Sequence, residues 1–421
     1  MPRLRLPKEE DFSSRLRGPA VASRVGLWLG ICFVVAFVTG LYSHVSQEAV
    51  PWFTLPTRPS WAYQVSQGLH VISGTAAVPL LLVKLWSVFP KLFAPPPWTK
   101  PRTELVLNAL ERASIGVLVA AAIFQLVTGL ANSAQWYPWS FGFRSTHYAV
   151  GWIAIGAILV HVAVKLPVIR RALGSDVDDD SDDGPDDAPA ESPHDTPVEA
   201  ADDTLAEATA GRAAAPEEVD ETTGGLSRRG LLRTTWVAAA LVVLGTAGST
   251  VPFLRQVSVF GVRSGDGPGG IPINRTAAAA QVTETAVADD YRLTVVHGDR
   301  EVQLTREDLA GMVQHSAVLP IACVEGWSAT GEWTGVRVRD IVARVDAPDG
   351  AAVIVSSLQE RGAFRETRLP ANFVAADDTL LALQLGGEPL SLDHGYPCRI
   401  IAPNRPGVLQ TKWVSRLEVE V

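Results

Sequence analysis

Residues 144–171 read RSTHYAVGWIAIGAILVHVAVKLPVIRR. From Tyr148 to Val164 there is no Asp, Glu, Lys or Arg, and a helix needs only ~20 such residues to cross ~30 Å of hydrocarbon. The stretch closes on Arg170 and Arg171, a basic stop of the kind retained on the cytoplasmic side. One block of this length is also compatible with a buried helix of a soluble protein. Four further blocks, at 25–43, 65–83, 113–131 and 234–254, are equally free of charge. Five together predict an all-α membrane part of four spans plus a fifth anchoring span, in keeping with 47% hydrophobic residues.

Basic residues set the expected orientation. Arg3, Arg5, Lys8, Arg15, Arg17 and Arg24 precede the first span, and Lys84, Lys91, Lys100, Arg102 and Arg112 surround the loop between the second and third. The two opposite loops hold only Arg58 and Arg144. Positive charge stays inside, so residues 1–24 form a cytoplasmic N-terminus and 25–171 a four-helix module. Trp and Tyr in SQEAVPWFTLPTRPSWAYQ and NSAQWYPWSFGFRST suit the headgroup level on the outer side. A transporter or channel is disfavoured, because the charge-free blocks contain no acidic residue and no broken Gly/Pro pair of helices.

Residues 175–222 hold 18 of the 45 acidic residues against one basic residue, Arg212. Without an aromatic residue, this segment cannot bury enough surface to fold. Residues 172–226 therefore read as a disordered acidic cytoplasmic linker. Removing the −17 of 175–222 from the overall −9 leaves +8 for the rest, so the low isoelectric point says nothing about substrate charge. No nucleic-acid partner is expected.

The next stretch, LSRRGLLRTTWVAAALVVLG, places Ser227-Arg228-Arg229 and Leu232-Arg233 ahead of an apolar segment. It resembles a twin-arginine export signal, with Leu231 where that consensus prefers Phe. A pair of arginines stopping a helix gives the same pattern. Placed at 227–256, before the last span, an export signal implies that residues 257–421 fold in the cytoplasm around a complex cofactor and then cross.

That last segment is expected to be α+β with a largely β core. YRLTVVHGDREVQLT alternates around His297-Gly298-Asp299 as a hairpin, and Thr305 with Asp308 forms a capping box. AAVIVSS, LLALQL, CRIIAP and SRLEVEV read as strands. Cys323 and Cys398 are its only cysteines. In an oxidising compartment a disulfide, an inert thiol and a metal ligand or nucleophile all remain open for Cys323, which ends the apolar AVLPIA and opens a turn with Gly326 and Gly331.

CVEGWSATGEWTGVRVRDIV at 323–342, with GGEPLSLDHGYPCRIIAPNRPGVLQTKWVSRLEV at 386–419, resembles the molybdopterin-binding domain of the sulfite oxidase family over about residues 270–421. The resemblance implies that Cys323 ligates molybdenum as the catalytic centre. It implies that Asn274, His394, Gly395, Arg399 and Lys412 hold the pterin and its phosphate. A soft thiolate suits the metal, and Arg399 and Lys412 offer cationic donors to phosphate. Phe364 stands where the family has a tyrosine near the substrate, and the chain ends at Val421, before an immunoglobulin-like extension. Both departures favour a likeness to the periplasmic protein-methionine-sulfoxide reductase subunit over the animal and plant sulfite oxidases. Arg361, Arg365 and Arg368 either line an anion pocket or decorate a strand.

Intramembrane histidines are functional candidates by default. His70 and His147 each begin a span, and His161 lies 14 residues after His147, as Lys84 lies 14 after His70. Fourteen residues return to nearly the same helix face about 21 Å further along. The placement resembles four-helix b-type membrane cytochromes, implying haem b with His70 and His147 as axial ligands, His44 in reserve or against a propionate, and His161 as ligand of a possible second haem. The expected whole is a multi-pass protein of the cell membrane in contact with lipid. An extracytoplasmic molybdenum oxidoreductase domain would exchange electrons with the quinone pool and act on a sulfite- or sulfoxide-like small molecule. Alternatives are a haem-free molybdoenzyme served by a separate redox partner, and a non-catalytic extracytoplasmic binding module.

Overall fold

The computed structural model describes residues 12, 14–94, 98–99, 101–178, 226–261 and 267–420. Arg3, Arg5, Lys8 and Lys100, and the predicted linker from 179 to 225, lie outside the described residues.

Among the described residues, five helices are long and apolar enough to span a membrane: α1 Pro19–Ser46, α2 Ala62–Val88, α3 Arg102–Ser133, α4 Phe143–Gly174 and α5 Arg228–Thr246. Helix α1 starts on Pro19 after an extended Gly18, where the missing N–H costs nothing. Helix α5 starts on Ser227, whose side chain accepts the Gly230 N–H. Leu82, Leu159 and Leu241 stay exposed, as side chains solvated by lipid do.

Helix α1 packs on α2 and α4, α3 on α4, and α5 on α2. The helices run past the charge-free blocks, so Glu111 falls inside α3, where Lys165 of α4 pairs with it at 2.8 Å. Pro79 and Pro167 lie inside α2 and α4 without ending them.

Residues after 267 form two sheets. One has the order β2-β1-β10-β5-β6, the other β3-β4-β7-β8 with β9 beside β7. Their strands are β1 Leu293–His297, β2 Arg300–Leu304, β3 His315–Ala322, β4 Ser328–Arg337, β5 Val353–Ser357, β6 Glu366–Leu369, β7 Leu380–Leu385, β8 Glu388–Pro389, β9 Arg399–Ile401 and β10 Val414–Val419. The expected hairpin is β1–β2, and Thr305 and Asp308 make both bonds of the capping box. All four expected strands are present, as β5, β7, β9 and β10.

The turn expected around Cys323 is tighter than the sequence suggests. Residues 323–327 connect β3 to β4, which pair from His315↔Gly335 to Ala322↔Ser328. Gly331 is therefore a strand residue, not part of the turn: an added Cβ would lie 2.9 Å from Leu385 Cδ1 and 3.2 Å from Ile271 Cδ1. All three cysteines are free, with Cys323 and Cys398 in separate cores, so the disulfide alternative does not hold.

Two candidate cofactor sites

The hollow beneath the β3–β4 turn is lined by Ile271, Asn274, Trp327, His394, Arg399 and Lys412, among others. Arg399 and Lys412 face each other through an isolated bridge between β9 and the segment before β10. Gly395, at φ 111°, lets the chain pass over them, and a Cβ there would lie 3.1 Å from the Cβ atoms of both.

Both cations are buried, and among the described residues no carboxylate oxygen bonds either. Arg399 donates to the carbonyls of His394 at 3.0 Å and Gln410 at 3.1 Å, leaving its Nε without a partner. Its guanidinium lies 5.0 Å over the Trp333 ring. Lys412 donates to the Arg275 carbonyl at 2.5 Å, the Asp393 carbonyl at 3.0 Å and Asn274 Oδ1 at 3.1 Å.

Burial pulls Arg399 down to about 9. Burial, with Arg399 beside it, pulls Lys412 down to about 7. Only neutral oxygens bond the two cations, and the single carboxylate lining the hollow, Asp393, accepts the Ala277 N–H, so two buried positive charges face one negative charge and are not fully compensated. A phosphate-bearing ligand supplies the missing negative charge, so the residues present fit a pterin phosphate.

His394 lines the hollow, but both its ring nitrogens are engaged, Nδ1 with Ser391 Oγ and Nε2 with the Ile271 carbonyl, each at 3.0 Å. Since the carbonyl only accepts, Nε2 carries the proton. Burial brings the pKa down to about 4, so the ring is neutral and clamps the 267–273 segment against the pocket.

Cys323 sits between Ile321 and Trp327, two lining residues. It is 1% exposed, and its amide donates to the Trp327 carbonyl at 2.9 Å. Burial, and secondarily the Glu325 carboxylate, raise its thiol well above the ordinary range. A thiolate at this place therefore needs a cation to neutralise it, which a bound metal provides.

Cys398 is different. It is buried against Tyr291, whose hydroxyl is 3.2 Å from the sulfur, and burial holds it at about 12. Among the three arginines, Arg368 pairs with Glu420, while Arg361 and Arg365 are exposed. Phe364 packs under the Arg144 guanidinium, 5.8 Å away, at the membrane-domain side.

The second hollow lies between α1, α2, α3 and α4 and has about 1280 Å³ of empty space counting its open side. His70 and His147 face each other in it with ring centroids 6.3 Å apart. His44 lines it too, stacked on Tyr148 at 3.6 Å. Each helix contributes a glycine to the wall: Gly40, Gly74, Gly129 and Gly151. Gly74 and Gly151 follow their histidines by four residues, on the same helix face.

Two facing imidazoles with a glycine on each of the four surrounding helices and an otherwise mostly apolar lining fit a planar macrocycle held by two histidines. His161 does not line this hollow. Lys84 donates to the Ala22 carbonyl at 2.9 Å, and no second histidine lies on the inner half among the described residues.

The β3–β4 turn lies between the two hollows: Ile321 and Trp327 line the first, and Val324, next to Cys323, lines the hollow of His70 and His147. Its carbonyl accepts from Asn132 Nδ2 of α3 at 2.8 Å, Glu325 accepts from Gln135 at 2.7 Å, and Thr250 Oγ1 donates to the Gly326 carbonyl. Asn132, Gln135, Thr39, Thr128 and the four wall glycines escaped the sequence reading. The signal was available as the repeat Val38-Thr39-Gly40-Leu41 and Val127-Thr128-Gly129-Leu130.

Residues 27–167 match the family described as prokaryotic cytochrome b561, and residues 279–421 match the oxidoreductase molybdopterin binding domain. An uncharacterized oxidoreductase, YuiH, of Bacillus subtilis is 30% identical over 121 residues, covering 28% of this chain and 60% of that protein. The mitochondrial sulfite oxidase of Drosophila melanogaster is 27% identical over 171 residues, covering 31% of this chain and 27% of that protein. A nitrate reductase [NAD(P)H] of Hordeum vulgare is 36% identical over 103 residues, covering 22% and 12% respectively. The chain thus spans less than two thirds of each of these relatives. Molybdopterin and b-type haem are the cofactors of the two matched domains.

Proposed function

We propose that this chain, which joins a cytochrome b561-type membrane domain to a molybdopterin-binding oxidoreductase domain, is a membrane oxidoreductase. In this reading Cys323 ligates molybdenum, and His70 and His147 hold the haem b that connects it to the quinone pool. The observation that carries it is the position of Val324, adjacent to Cys323 in sequence and part of the wall around His70 and His147. When bound, molybdenum supplies two-electron oxygen-atom transfer and haem supplies one-electron exchange.

Arg399 and Lys412 bind the pterin phosphate, Asn274 orients the Lys412 amine, and neutral His394 closes the pocket floor. Asn132 and Gln135 hold the Cys323 turn on the membrane domain, Asn132 from a buried position and Gln135 at the exposed rim. The substrate is a small sulfite- or sulfoxide-like molecule. A sulfoxide would give up its oxygen as water, taking two electrons and two protons. Sulfite would take an oxygen from water and release the same number.

The oxidoreductase domain packs on the ends of α2 and α3 where Tyr63 and Asn132 lie, the ends expected to be outside. This supports an extracytoplasmic site, with the N-terminus and linker cytoplasmic and Ser227-Arg228-Arg229 acting in export. In the structure Arg229 pairs with Asp176 and Asp178, which is compatible with retention of the signal as an anchor.

The test uses the full chain in detergent, with molybdenum and haem measured on one preparation and sulfite and methionine sulfoxide each supplied in turn. The expected result is both cofactors together and a change in the haem absorption spectrum with one substrate. A haem whose redox state ignores every substrate while molybdenum turns over would overturn the connection.

A further inference from the structure

His70 and His147 are held from behind in different ways, and the difference rests on two threonines. This argument depends on the haem reading above. His147 Nδ1 lies 3.0 Å from Thr128 Oγ1. That hydroxyl has one proton, directed to the Phe124 carbonyl at 2.7 Å, so it can only accept from the ring. His147 therefore carries its proton on Nδ1, and its Nε2 lone pair is free.

His70 reaches the same tautomer by another route. Its Nδ1 is 2.8 Å from the Ala36 carbonyl, which can only accept, and 3.3 Å from Thr39 Oγ1, whose proton goes to the Val35 carbonyl at 2.6 Å. Thr39 is thus a weak second acceptor for His70, while Thr128 is, among the described residues, the sole acceptor for His147 Nδ1. The following glycine leaves room for the ring at His70, where a Cβ at Gly40 would lie 3.0 Å from Cε1; at His147 a Cβ at Gly129 would lie 3.6 Å from Cε1, an ordinary contact.

We propose that Thr128 is the positioning residue that fixes the tautomer and donor strength of His147 toward the haem, with Thr39 a minor counterpart because the Ala36 carbonyl already holds His70. An acceptor behind Nδ1–H raises the basicity of a ligating imidazole. A more basic axial ligand favours ferric over ferrous iron and lowers the midpoint potential. Removing the Thr128 hydroxyl therefore raises the potential, and removing the Thr39 hydroxyl raises it less.

The test compares the full chain carrying Thr128→Val, Thr39→Val or Thr128→Ser, reading midpoint potential by spectroelectrochemical titration, the low-spin haem resonance and haem content. Thr128→Val is expected to shift the potential upward and weaken haem retention about 10- to 100-fold. Thr39→Val should show a smaller shift, and Thr128→Ser should recover the wild-type values. If Thr128→Val loses its haem altogether and Thr128→Ser keeps it, the proposal is also supported. It is overturned if Thr128→Val keeps haem at the wild-type potential, if Thr39→Val shifts it as much, or if Thr128→Ser fails to recover. Should the wild type bind no haem, the haem reading itself fails and this inference with it; an unshifted potential in a haem-loaded variant defeats this inference alone.

Discussion

Lys412 ordinarily titrates near 10.5, and burial, with Arg399 beside it, pulls it down to about 7. Between those values the unfolded chain holds a proton that the folded chain lacks, so folded stability rises with pH across that window and declines as pH drops toward 7. Binding a phosphate returns the proton to the amine. Affinity for the pterin should therefore fall from pH 7 to 9, by up to about tenfold per pH unit. Melting of the full chain from a cofactor-deficient host, set beside pterin retention over the same range, should show opposite slopes, and Lys412→Met should flatten both.

The sulfur at 323 makes a complementary prediction: Cys323→Ser should lose turnover by at least about 100-fold while pterin remains. Metal and pterin analysis on one sample checks it, since loss of both would indicate a collapsed pocket. These residues were singled out as candidates because the motif around Asp393-His394-Gly395 and Lys412-Trp413 is specific. The engaged state of the His394 nitrogens was not legible, because Ile271 is 123 residues away from it in the chain.

At the scale of elements, the β3–β4 hairpin was the harder reading. Pro320, Gly331 and Gly335 interrupt its alternation, and only the register with β7 shows why glycine is needed: a Cβ at Gly335 would lie 2.1 Å from the Leu381 carbonyl oxygen. Gly326 in the connecting turn has φ 84°, and a Cβ there would approach Val71 Cγ2 of α2 to 3.0 Å and Ser133 Oγ of α3 to 3.2 Å. Gly326→Ala should cost about 1–3 kcal/mol locally and lift the Cys323 turn from the helices. The expected readout is a slower change of haem redox state on mixing with substrate, with molybdenum content and the resting haem spectrum unchanged, measured by stopped-flow absorption. The spans themselves were plain from composition, whereas the Thr-Gly repeat on α1 and α3 was hidden inside uniformly apolar sequence and gained meaning only when paired with the histidines of α2 and α4.

Across the whole molecule, Asn404 carries three of the hydrogen bonds that join the two domains. Asn404, 2% exposed, donates its amide to the Ser60 carbonyl at 3.1 Å and its side-chain Nδ2 to the Pro56 carbonyl at 2.7 Å, and its Oδ1 accepts the Tyr63 N–H at 2.7 Å. Its φ of 52° is left-handed, a conformation Asn tolerates better than most residues. Gln64 Nε2 donates to Ser328 Oγ at 2.6 Å, and Arg58 pairs with Asp378 at 2.9 Å. No sequence pattern announces such contacts, since each side looks like an ordinary polar loop until the other is in place. Asn404→Gly keeps the backbone conformation and removes both side-chain bonds. Leaving the Tyr63 N–H and Pro56 carbonyl unpartnered in a buried contact should cost about 1–3 kcal/mol each. Hydrogen exchange on the full chain should then show faster exchange at residues 56–64 while β1, β5 and β10 keep their protection, because their core does not include the contact. If those strands lost protection equally, Asn404 would be part of the folding of the oxidoreductase domain, and the two halves could not be treated as separately folded bodies held at a fixed contact.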